Sequence, residues 1–197
     1  MYFKIKSLSG QVKMNKKAGS LFKAILLCLC IIISGYGKVK TRKFEITFQL
    51  NEIKSFVPSY QTAIWLERSD SSFVKTLFLS EYLSYGGYNI PAICSDWSSK
   101  TNWNDVTREE FDAVTSATPG AGMVKLKLES PADIIPDGKY RIFIEVHLAE
   151  EYNELYTGEV TFSGKKFKTS LQVNYLPGKY SKKSEGDLLS DVMVICK

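Results

Sequence analysis

Along Tyr140–Leu148 every second side chain is large and apolar. Tyr140, Ile142, Ile144, Val146 and Leu148 fall on one face, with Arg141, Phe143, Glu145 and His147 on the other. A period of two is the spacing of a strand with one face in a core, and it cannot be gathered onto one side of a helix. The rhythm returns in Phe44, Ile46, Phe48 and Leu50, in Val124, Leu126 and Leu128 between Lys125 and Lys127, in Phe167, Thr169, Leu171 and Val173, and in Val192 with Val194. Thr62–Glu67 and Phe73–Leu79 are more evenly apolar and read as more fully buried strands, joined through Arg68–Ser72. Pro136-Asp-Gly-Lys139 opens the long strand, and Ser163-Gly-Lys165 separates Thr161-Phe162 from the strand near Phe167, so both stretches supply hairpin turns. Seven or eight short strands predict an all-β fold, an immunoglobulin-like antiparallel β-sandwich, with a barrel as the alternative.

One interval breaks the rhythm, from Ser80 to Gly122. Thr107 with Glu110 forms a capping box, and Val106, Phe111 and Val114 make a short apolar stripe, which predicts one brief helix over 107–114. An excursion of some forty residues from a sandwich is long for a loop, and loops of that length usually carry function. Its aromatics Tyr82, Tyr85, Tyr88, Trp97 and Trp103 suit two uses. They either stack on a sugar or an isoalloxazine ring, with Trp97, Trp103 or one of the tyrosines as the candidates, or pin the insertion to the sandwich.

Ahead of the β pattern, Lys16, Lys17 and Lys23 precede the apolar run Ala24–Ile33, and Ser34, Gly35 and Gly37 follow it. This is the basic, apolar and small-residue order of a secretory leader, and the run is about half the ~20 apolar residues needed to span a bilayer. We therefore expect residues 1–37 to be an N-terminal extension plus signal peptide, with a leader proper opening at Met14 and Met1 as an upstream start. Residues 38–197 are expected to form a single β-sandwich domain, periplasmic or secreted. The formal charge of +5 suggests a polyanion binder, but six lysines and no acid lie in residues 1–37, leaving 20 basic against 21 acidic groups beyond them. A phosphate-binding footprint is therefore missing overall, and no nucleic-acid partner is expected. Lys165, Lys166 and Lys168, with Lys179, Lys182 and Lys183, read as solvated turns.

Cys28 and Cys30 lie in the leader, so Cys94 and Cys196 are the two thiols left after its removal. They allow one disulfide, which spacing alone neither requires nor forbids. His147 is the one histidine of the chain, so metal and haem sites and a Ser-His-Asp triad lack their usual parts, and it reads as a surface strand residue. Glu109, Glu110, Glu150 and Glu151 stay open as carboxylates for glycoside chemistry, because their separations are not written in the sequence.

At the exit of the expected helix stands Asp112-Ala-Val-Thr115-Ser116-Ala117-Thr118, followed by Pro119-Gly120. This resembles the acceptor motif of covalently flavinylated extracytoplasmic proteins: Asp, two free positions, Ser or Thr, Gly or Ser, Ala, Thr. The resemblance implies that a flavin transferase moves FMN from FAD onto Thr118, with Asp112, Thr115, Ser116 and Ala117 completing the recognised segment. Gly120 departs from the Ser or Thr that many such domains carry two places beyond the acceptor.

The chain also resembles a family of predicted periplasmic proteins known as domain of unknown function 2271. The matching pieces, in the family's order, are Thr62–Glu67, Phe73–Leu79, Asp112–Pro119, Ile135–Tyr140, Glu154–Gly158 and Asp191-Val192, while Tyr85–Asn104 and Asn174–Asp187 look peculiar to this sequence. That resemblance implies an exported β-rich domain, often encoded near PepSY-type membrane reductase components and flavin transferases, with no established catalytic residues. Together these features predict an accessory redox protein with covalent FMN and a membrane redox partner, an electron carrier more than an enzyme. The alternative is a cofactor-free module whose 80–122 insertion recognises a protein or a glycan.

Overall fold

The computed structural model describes residues 40–52, 59–149, 152–173 and 188–197. The leader, the extension before it, Glu150, Glu151, the lysines at 179, 182 and 183 and the stretch from 174 to 187 lie outside the described residues. Lys40–Lys197 form one compact unit.

The fold is an all-β sandwich of two sheets. Among the described residues the strands are β1 (Thr41–Leu50), β2 (Gln61–Arg68), β3 (Phe73–Ser80), β4 (Thr115–Ser116), β5 (Gly122–Pro131), β6 (Gly138–Ala149), β7 (Tyr152–Phe162), β8 (Phe167–Ser170), β9 (Gln172–Val173) and β10 (Leu189–Cys196). One sheet has the order β5-β1-β10-β8 and the other β4-β3-β2-β6-β7-β9, so no barrel closes. Strand β1 holds the first sheet together through Thr41↔Pro131 to Leu50↔Gly122 on one side and Phe44↔Cys196 to Leu50↔Leu189 on the other. In the second sheet, β2 and β6 pair from Gln61↔His147 to Arg68↔Tyr140, and β6 continues into the hairpin with β7.

Between the sheets lies the main core. Phe44, Ile46, Phe48 and Leu50 of β1 meet Ile64 and Leu66 of β2 and the even-numbered face of β6, Tyr140 to Leu148. The Phe44 and Phe162 rings pack edge to face at 5.4 Å, and Arg42 lies over Phe162 at 5.2 Å while its guanidinium reaches the Ile135 carbonyl (2.8 Å) and Asp137 (2.7 Å). This holds the Pro136–Lys139 turn at the start of β6, but neither it nor Ser163–Lys165 closes the hairpin expected: β5 to β6 and β7 to β8 each cross from one sheet to the other.

Three further expectations are corrected. The 80–122 insertion holds three short α-helices, α1 (Glu81–Tyr85), α2 (Ser95–Ser98) and α3 (Arg108–Val114), with 3-10 turns at Gly87–Asn89 and Trp103–Asp105. Only α3 was expected, because helices of four or five residues are too short to write a 3.6-residue period. The sheets are also not purely antiparallel, since β4 joins β3 in parallel through Leu79↔Thr115 and Ser80↔Ser116. Finally, the strand expected over 167–173 is split at Leu171, where the chain leaves one sheet as β8 and enters the other as β9.

Leu171 is buried, its N–H bonds Val192 O at 3.1 Å, and its Cδ2 would lie 2.6 Å from a Cβ at Gly158. Gly158 thus leaves the notch into which the crossing residue packs. A β-branched side chain there must displace Leu171 or the Ser170 carbonyl. Gly158→Val is expected to lose about 1–3 kcal/mol of unfolding free energy by overpacking, measured as a shift of the urea midpoint at unchanged slope.

Candidate functional site

The odd-numbered face of the second sheet, which alternation in β6 assigns to solvent, carries a second apolar core. Ala63 and Trp65 of β2, Leu79 of β3, Phe143 of β6 and Leu155 of β7 are roofed by Leu83, Ile93, Cys94, Trp97, Trp103 and Val114 of the insertion. Trp65 stacks on Phe143 at 5.0 Å and 11°. Trp97 donates from Nε1 to Thr76 Oγ1 (3.0 Å) and Trp103 from Nε1 to the Ser84 carbonyl (3.0 Å), with the two indoles edge to face at 5.4 Å. At 0% and 5% exposure neither tryptophan offers a face to a ligand, so both pin the insertion and neither stacks on a ring as placed.

Within this roofed face lies a row of polar groups. Glu145 is fully buried, and its carboxylate accepts the backbone N–H of Asp96 (3.2 Å) and of Trp97 (2.9 Å) at the start of α2. Burial first, and the neighbouring Asp96 charge second, push the Glu145 carboxyl up to about 8. Burial also raises Asp96, whose Oδ2 has no hydrogen-bond partner among the described residues. Glu67, further along β2, is better served, accepting from Trp65 Nε1 (3.0 Å) and Arg141 (3.2 Å) with Lys100 at 3.5 Å.

His147 lies under the insertion, not on the surface where its strand position put it, because residues 92–94 cover that end of β6. Its Nδ1 is 3.1 Å from Asn153 Oδ1, which also accepts the Cys94 N–H (3.0 Å) while Asn153 Nδ2 donates to the Ala92 carbonyl (2.8 Å). An oxygen already held as an acceptor requires Nδ1 to carry the imidazole proton. Burial lowers the His147 pKa.

Cys94 and Cys196 are both free. Cys94 lies in the roofed core and Cys196 between the sheets, so the six-stranded sheet separates them and the one pairing open to them does not form. Burial raises both thiols, Cys196 to about 12.

The Asp112–Thr118 segment runs along the edge of this face. Thr107 caps α3 by accepting the Glu110 N–H (3.2 Å), as the capping box predicts, and Glu110 pairs with Lys75 (3.2 Å). Asp112 is exposed and bonds Arg108 at 2.9 Å, one turn back. Val114 anchors the helix in the roofed core, and Thr115 and Ser116 then pair with β3. Ser116, Ala117 and Gly120 are exposed and Thr118 is half-buried, its Oγ1 accepting a long 3.4 Å bond from Gln61 Nε2. The structure thus keeps Thr115, Ser116, Ala117 and Thr118 together in one edge segment and points Asp112 at Arg108.

Sequence reasoning missed Gln61. It is 7% exposed, donates also to the Ser59 carbonyl (3.1 Å), and leaves Oε1 without a partner among the described residues, as is Thr115 Oγ1. A glutamine at the first position of a strand carries no local signal of such a role. Among the described residues no group of three or more His, Cys, Asp or Glu could hold a metal ion, and no helix is long and apolar enough to cross a membrane.

The family model described as predicted periplasmic protein (DUF2271) matches residues 42–176. The chain belongs to the DUF2271 family. The match runs from β1 through β9, so it takes in the six-stranded sheet, the roofed face and the Thr118 segment, and leaves β10 of the four-stranded sheet outside it. DUF2271 proteins are described as predicted periplasmic, in keeping with the export expected from the N-terminal residues. No curated protein and no solved structure matches this chain.

For this DUF2271 chain the Glu145 environment sets the sign of a pH dependence. From the ordinary value of 4.5 up to about 8, the folded carboxyl keeps a proton that the unfolded chain has lost. Stability therefore falls as pH rises through that window, by about 1.4 kcal/mol per unit for a single group. Asp96 acts in the same direction. His147, lowered from 6.5, acts in the opposite direction below that value and is neutral in both states above it. Between pH 6.5 and 8 the denaturant midpoint should fall in the wild type and flatten in Glu145→Gln; equal slopes would refute the assignment.

Proposed function

We propose that this chain is an exported accessory protein of an extracytoplasmic redox system and carries FMN covalently on Thr118. The observation that carries the reading is the placement of the acceptor-like motif. Ser116 and Ala117 are exposed and Thr118, half-buried, follows them just beyond the edge strand β4, although the insertion around them is tightly packed. A modifying enzyme must bring its own active site to the hydroxyl, and backbone at an edge followed by Pro119 and Gly120 permits that approach.

The residues also fit the group. The Thr118 hydroxyl is held by one weak bond, from Gln61 Nε2, a donor of the kind a phosphoester on that oxygen would accept from. In the transfer, Thr118 Oγ1 forms a bond to the FMN phosphorus of FAD. The pyrophosphate P–O bond breaks, AMP leaves, and the hydroxyl proton passes to a base of the transferase. Once attached, FMN supplies reversible one- and two-electron chemistry. The protein's own part is to hold the cofactor where a membrane partner reaches it, and in an exported protein the covalent link keeps the flavin from being lost to the medium.

A second reading, a cofactor-free module that recognises a protein or glycan, draws on Tyr82 and Tyr85, which are 55% and 66% exposed on α1. Intact-mass measurement separates the two. Co-expression with a flavin transferase should add one FMN and a yellow colour to the wild type and nothing to Thr118→Ala. Colourless, unmodified wild-type protein from cells that flavinylate a control would overturn the flavin reading and leave the module.

A further inference from the structure

The order β4-β3-β2 places β3 between the strand that leads to Thr118 and the strand that bears Gln61. Thr118 nonetheless contacts Gln61, so its side chain reaches over the end of β3, where Ser80 passes into Glu81 and Tyr82. The parallel pair Ser80↔Ser116 brings the two chains off the sheet side by side, and Tyr82 and Thr118 each follow two residues later.

Tyr82 also has a close neighbour. A Cβ on Gly87 would lie 3.0 Å from both Cδ1 and Cε1 of Tyr82, so the Cδ1–Cε1 side of the phenol lies close to Gly87. More than half of the residue nevertheless faces solvent. An aromatic ring with a close neighbour along one side and most of its surface open has less rotamer freedom left to lose on stacking. The buried indoles Trp97 and Trp103 have no such open face.

The geometry points to Tyr82 as the platform on which the isoalloxazine of a Thr118-linked FMN stacks, an inference that rests on the flavinylation reading above. The ring system is flat and electron-poor and the phenol is electron-rich, which favours offset stacking. Gln61, beneath the acceptor, donates its amide N–H to the phosphoester and fixes the near end of the arm.

The test uses the full chain flavinylated by co-expression, with Tyr82→Leu and Tyr82→Phe beside the wild type, and spectra normalised to the FMN content found by intact mass. A stacked ring in a chiral setting gives visible circular dichroism, and an adjacent tyrosine quenches flavin emission by donating an electron to the excited ring. The wild type should therefore show a dichroic flavin band and weak fluorescence. Tyr82→Phe should keep the band and brighten, because phenylalanine stacks but does not donate. Tyr82→Leu should lose the band and brighten several-fold. Loaded wild type and Tyr82→Leu with the same spectra would overturn the platform while leaving flavinylation intact. So would a Tyr82→Leu chain that folds but is not loaded, since Tyr82 would then be read by the transferase. Absence of the adduct from the wild type would overturn the flavinylation reading itself.

Discussion

The packing of Trp97 and Trp103 against Trp65 and Phe143 is the contact on which the site depends. It turns a half-buried sheet into one covered on both faces, and β2, seven of whose eight residues are buried, follows from it. Fully burying side chains of this size contributes on the order of 1.5–3 kcal/mol each. That gain holds three helices which are individually too short to persist in water. The same roof desolvates Glu145, Asp96, Cys94 and His147, and it carries α3, so the position of the Thr118 segment is inherited from the tryptophans.

Much of the fold was legible in local pattern. Alternation marked β1, β5 and β6, continuous apolar runs marked β2 and β3 as covered strands, and the Thr107 cap marked α3. What escaped was non-local. Glu145 and His147 alternate with Ile144 and Val146 as solvent-facing residues should, and only a segment some fifty residues away buries them. Leu171 reads as one more position in a strand, yet the chain changes sheets there because Gly158 leaves room.

The candidate site divides along the same line. The Asp112–Thr118 run was visible because its information is contiguous. Gln61 was invisible because its role exists only once β2, β3 and β4 lie side by side. Trp97 and Trp103 were open to two readings, and a hydrogen-bonded Nε1 inside a packed core decides between them: a large amphipathic ring whose polar atom already has a protein partner is spent on structure.

Burial of the thiols also bears on what can be attached to this protein and where. In a compartment that oxidises thiols, two unpaired cysteines are a liability unless they are kept from becoming thiolates. Cys94 and Cys196 are kept so by desolvation, on opposite sides of one sheet, each unable to reach the other or solvent. The two described thiols are thereby silenced. The accessible groups along the Thr118 edge are hydroxyls, which do not react without an enzyme to activate them. Covalent chemistry at these hydroxyls would therefore need an enzyme to activate them, and a tethered cofactor of the kind proposed above could arrive here only by that route.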